Sequence, residues 1–116
     1  MSQTKTPFGV IDRASIQSLQ KSGNRFQLWN VLTTQYYKAD KNLPGSRWVP
    51  LDGITAESAA KLAAKDETIV VYCGGPQCPQ SRQAAEKLAS LGYEKVFAYE
   101  GGIQDWVEAG LPVVRL

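Results

Sequence analysis

The chain reads as one α/β domain, with a mainly parallel sheet covered by helices on both faces. Three observations predict this class. Strand-like and helix-like patterns alternate along the sequence. The most apolar run, residues 69–72, is continuous and rich in β-branched and aromatic residues, as a strand buried on both faces is. Glycine or proline punctuates most transitions between the two patterns.

Each element has its own local reason. Val10 and Ile11 lead to Asp12, a good N-cap, and Ile16 and Leu19 form a short apolar stripe ended by Gly23 and Asn24, which predicts a short helix. Residues 26–32 run apolar and predict a strand. Tyr36 and Tyr37 fall in a short turn or helix, followed by a charged loop. Leu43, Pro44, Gly45 and Ser46 form a turn before a short strand over 47–49, stopped by Pro50. Thr55 caps a predicted helix running to Ala64, with Ala56, Ala59, Ala60 and Ala63 as its close-packing face. The strand at 69–72 gives way to a glycine- and proline-rich loop. From about Ser81, Ala84, Ala85, Leu88 and Leu91 fall at helical spacing until Gly92. Residues 95–99 predict another strand, and residues 103–109 a short helix stopped by Gly110 and Pro112. Val113 and Val114 suggest a last extended piece.

Composition narrows the function. The 116 residues suffice for one core, so residues 1–116 are read as a single domain, with 1–8 expected as a disordered extension. A net charge of +2 predicts no broad basic face, hence no nucleic-acid or membrane partner. The three tryptophans are too dispersed for a base-stacking platform. No apolar span or secretory signal is evident, so a cytoplasmic protein with both cysteines reduced is expected. Histidine is absent, which removes Cys-His and Ser-His-Asp dyads and any imidazole zinc site. Two cysteines without other soft ligands make a poor metal site, so neither metal nor cofactor is expected.

The chemistry concentrates after the central strand. Cys73 stands where that strand ends and where a glycine loop leads into a helix start. Loop amides without ladder partners and the positive helix end both favour a thiolate there. The candidate binding loop comprises Gly74, Gly75, Pro76, Gln77, Cys78, Pro79, Gln80, Ser81 and Arg82. Ser81 is read as the helix cap, and Arg82 as either an anion-orienting cation or a solvated helix residue. Three readings of Cys78 stand: an inert loop residue, a resolving thiol that closes a reversible disulfide with Cys73, or the nucleophile itself. The strand-end position of Cys73 favours Cys73 as nucleophile.

Over nearly its whole length the chain resembles a rhodanese-like domain. The resemblance rests on LWNVLTTQYYKADKNLPGSRWVPLDGI, on IVVYC followed by SRQAAEKLASLGYEKVFAYEGGIQDWVEAGLPV, and on the closing pattern of Gly101, Gly102, Trp106, Gly110 and Pro112. It implies a five-stranded parallel sheet and a sulfurtransferase in which Cys73 carries a persulfide. Its partners would be small sulfur donors such as thiosulfate or a low-molecular-weight persulfide, and thiol acceptors including a protein sulfur carrier. Asn30, Leu32 and Asn42 stand where the family usually has Asp, Arg and His. The loop from Cys73 to Ser81 is two residues longer than usual and Gln80 replaces a frequent Arg, which argues against dianionic thiosulfate as the best donor.

Two other classes compete. Cysteine phosphatases and arsenate reductases need an Arg six positions after the cysteine. Here Pro79 and Ala84 occupy those positions relative to Cys73 and Cys78, so that class is disfavoured. A non-catalytic rhodanese-like module that binds a partner or senses oxidants through Cys73 and Cys78 is the other alternative.

Overall fold

The computed structural model describes residues 8–23 and 25–116. Five strands, β1 (Gly9–Val10), β2 (Gln27–Asn30), β3 (Arg47–Trp48), β4 (Thr68–Tyr72) and β5 (Lys95–Tyr99), form one sheet in the order β1-β5-β4-β2-β3. Every pairing is parallel, which bears out the expected class and strand number. β4 lies at the centre. Residues alternate across it: Ile69, Val71 and Cys73 join one core with Trp29, Ala84 and Leu88, while Val70 and Tyr72 join a second with Ile16, Tyr99 and Trp106. Burial on both faces is why its middle residues, Ile69, Val70 and Val71, are all aliphatic.

Four helices cover the faces: α1 (Arg13–Ser22), α2 (Ala56–Leu62), α3 (Gln80–Ser90) and α4 (Gly102–Glu108). The buried hydrophobic residues of α2 and α3 lie in the first core and those of α1 and α4 in the second. α1 starts as predicted, with the Asp12 carboxylate accepting from Ser15 N at 2.9 Å, and ends at Gly23 with φ of 77°. The other expected stop residue, Asn24, lies outside the described residues. So do residues 1–7 of the expected extension, whereas Phe8 is buried in the core.

Two expectations need correction. α2 stops at Leu62 rather than Ala64, because Ala63 turns extended. Gln27 Nε2 donates to the Leu62 carbonyl at 2.7 Å and the Tyr93 hydroxyl to the Ala63 carbonyl at 3.0 Å, so side chains satisfy the carbonyls that another turn would have used. Of the four alanines expected as a packing face, only Ala59 and Ala63 are buried, while Ala56 and Ala60 face solvent. At the expected last extended piece, Val114 forms a single antiparallel bridge to Asn42. Among the described residues no helix is long and apolar enough to cross a membrane.

Candidate active site

The site lies at the carboxyl end of the sheet, where ligands of open α/β sheets bind. Tyr72 ends β4 and fixes the start of the loop: its buried hydroxyl accepts from Leu43 N at 3.0 Å and pairs with Ser46 Oγ at 2.8 Å. Cys73 follows with 1% exposure. The loop then leans on α4. Ile103 N donates to the Cys73 carbonyl at 3.0 Å, and Gln104 N to the Gly74 carbonyl at 2.9 Å. This approach requires a glycine at position 102, which has φ of +62° and where a Cβ would meet the Cys73 carbonyl oxygen at 2.5 Å. Gly101 and Gly102 were visible in the sequence as a pattern, but their contact with the cysteine loop was not.

Beyond Gly75 the chain folds back. Cys78 N donates to the Gly75 carbonyl at 3.0 Å, leaving Pro76 and Gln77 at the exposed tip. This turn brings the Cα atoms of Cys73 and Cys78 to 6.4 Å, within the range that a disulfide spans. The two cysteines, expected as free thiols, are joined as a disulfide. Cys73 Sγ also lies 3.4 Å from the Cys78 carbonyl oxygen.

Gln80, Ser81 and Arg82, the last residues of the expected binding loop, form the first turn of α3. Ser81 is not the cap; Pro79 holds that position without a side-chain bond, and Ser81 is buried inside the helix. Gln80 grips the segment after β2, accepting from Thr33 N and donating to Thr33 Oγ1, both at 3.1 Å. The amides of Gly74, Gly75, Gln77, Gln80, Ser81 and Arg82 donate to no protein acceptor among the described residues. The loop and the helix start therefore present a set of uncommitted N–H donors to an anion.

A groove of about 560 Å³ opens beside the loop, lined among others by Leu32, Tyr36, Gln77, Cys78, Gln80 and Gln104. No lining residue is charged. Leu32, Tyr36 and Gln104 carried no site signal in the sequence, because only the fold brings them to the loop. On the other side of Cys78 lies a depression of about 240 Å³ that includes Ser81, Arg82 and Glu100. There Arg82 Nε is 3.4 Å from Glu100 Oε2, so the nearest cation is already paired with a carboxylate. Cys78 lines both openings and Cys73 neither. A larger cleft of about 850 Å³ lies between β1 and α1, at the amino end of β4, away from both sulfurs.

The comparisons with known proteins agree with this architecture. A Synechocystis protein of uncharacterised function, slr1261, is 38% identical over 52 residues, which is 45% of this chain and 28% of that protein. The chain thus spans under a third of that curated relative. The Bacillus halodurans protein BH2092 superposes with a TM-score of 0.79 at 28% identity, over 89% of this chain and 74% of that one. The rhodanese-like domain of the Anabaena protein Alr3790 superposes at 0.77 and 25% identity, over 92% and 79%. The human single-domain sulfurtransferase TSTD1 shares the fold, with a TM-score of 0.69 over 85% and 95% at 22% identity. The model of the rhodanese-like domain family matches residues 14–109, most of the chain and all of the site built above, and the chain belongs to that family.

Proposed function

We propose that the protein is a sulfurtransferase that carries sulfane sulfur as a persulfide on Cys73. The observation that carries this reading is the position of Cys73, at the end of the central strand and followed by amides that have no protein acceptor among the described residues. In the reduced protein the Cys73 thiolate attacks the outer sulfur of a persulfide, R–S–SH. The bond between the two donor sulfurs breaks, the thiolate RS⁻ leaves, and Cys73–S–SH forms. An acceptor nucleophile then takes the outer sulfur and returns the Cys73 thiolate, a ping-pong cycle without a general base. Backbone N–H groups stabilise the anionic persulfide as an oxyanion hole stabilises its charge.

The uncharged groove and the pairing of Arg82 with Glu100 favour a zwitterionic or neutral low-molecular-weight persulfide over dianionic thiosulfate. The test is thiocyanate formation from cyanide by pre-reduced protein, with cysteine persulfide or thiosulfate as donor. Turnover with the persulfide exceeding that with thiosulfate, and abolished by Cys73→Ser, is the expected result. The disulfide favours a second reading, a redox-responsive thiol module without sulfur transfer. Absence of thiocyanate with every donor would select it.

A further inference from the structure

We infer that Cys78 is a resolving thiol that discharges the Cys73 persulfide as hydrosulfide, so that the protein also acts as a dithiol-dependent persulfide reductase. This rests on the preceding reading of Cys73 and adds a second fate for the bound sulfur.

Three features of the loop carry it. The Gly75–Cys78 hydrogen bond closes a turn in which the two cysteines stand joined at a Cα separation of 6.4 Å, so the loop accommodates their union. Cys73 is buried and lines neither opening, whereas Cys78 is half-buried and lines both. Cys78 also stands two residues before α3, whose first amides are uncommitted and favour a thiolate nearby.

The chemistry balances as follows. The Cys78 thiolate attacks Sγ of Cys73–S–SH; the Sγ–S bond breaks, the Cys73–Cys78 disulfide forms, and HS⁻ leaves. The sulfane sulfur gains two electrons and the cysteine pair loses two. An external dithiol then restores the pair and becomes a disulfide itself. Access decides which sulfur it attacks. The incoming thiolate reaches Cys78 from the groove, and Cys73 departs as a thiolate beside the loop amides, ready for another donor.

The test is a single turnover under anaerobic conditions with no added thiol. Pre-reduced, desalted wild type, Cys78→Ser and Cys78→Ala receive one equivalent of cysteine persulfide. Free sulfide is then assayed and the protein alkylated for intact-mass analysis. The wild type is expected to release close to an equivalent of sulfide and to lose two hydrogens with no sulfur retained. Both variants are expected to retain one added sulfur and to release sulfide roughly a hundredfold more slowly. That factor is the millimolar effective concentration of a loop-tethered thiol set against about 10 µM protein. Wild type that retains its sulfur as long as the variants would overturn the resolving role and leave sulfur transfer standing. Failure of wild type and variants alike to take up sulfur or release sulfide would overturn both.

Discussion

Asn30 and Asn42 show how much a residue depends on what faces it. Both are fully buried, and Asn30 Nδ2 donates to Asn42 Oδ1 at 2.8 Å. Asn30 Oδ1 then accepts from Leu32 N at 3.0 Å, and Asn42 Nδ2 donates to the Ala39 carbonyl at 3.0 Å. In the sequence these positions stood out only as departures from the family's Asp and His. Their complementarity was not legible, because nothing local says that one amide meets the other across 12 residues. A neutral pair avoids the desolvation penalty that an ion pair would carry. Asn42→Ala strands the Asn30 amide without its acceptor, and we expect a loss of about 1–3 kcal/mol. Urea unfolding would show it as a lower midpoint at unchanged slope; an unchanged midpoint would mean that the pair contributes nothing.

At the scale of elements, legibility followed local chemistry. α1 carried its own start and stop signals in Asp12 and Gly23, and β5 its own apolar pattern, so both were readable. β1 was not: it has two residues, Val10 is 64% exposed, and only pairing with β5 makes it a strand. The end of α2 was misread because its stop signals, Gln27 and Tyr93, come from β2 and from the loop after α3. The candidate site divides the same way. Cys73 was visible from its strand end, whereas the support that α4 gives its loop was not. Comparing two glycines tests that support. Gly110 has φ of 80° with open space around it, so Gly110→Ala should cost only the left-handed backbone penalty, about 1–2 kcal/mol. Gly102→Ala adds a clash with the Cys73 carbonyl and should cost about 3 kcal/mol or more. It should also slow sulfur uptake in protein that remains folded, which Gly110→Ala should not. Equal losses in the two variants would remove α4 from the account of the site.

At the scale of the whole molecule, two buried tyrosines couple stability to alkaline pH. Burial pushes the Tyr72 hydroxyl up to about 12, against an ordinary value near 10. Tyr99 is raised too, first by burial and then by its hydrogen bond to Asp105. The neutral phenol is the form that the fold keeps, so this contribution is complete below pH 10. Above it the unfolded chain loses protons that the folded chain retains, and stability falls as pH rises toward 12. For Tyr72 alone the loss is of order 2 kcal/mol across that window. Tyr72→Phe removes the titrating group together with its bonds to Leu43 and Ser46. The variant should therefore be less stable at pH 8 but should lose less stability between pH 8 and pH 11 than wild type. Both proteins are compared with the disulfide intact, so that thiol ionisation does not contribute. Urea midpoints at the two pH values give the answer. Parallel declines would mean that Tyr72 does not report the alkaline transition. A flatter decline in Tyr72→Phe would tie the anchor immediately before Cys73 to the alkaline destabilisation of the fold.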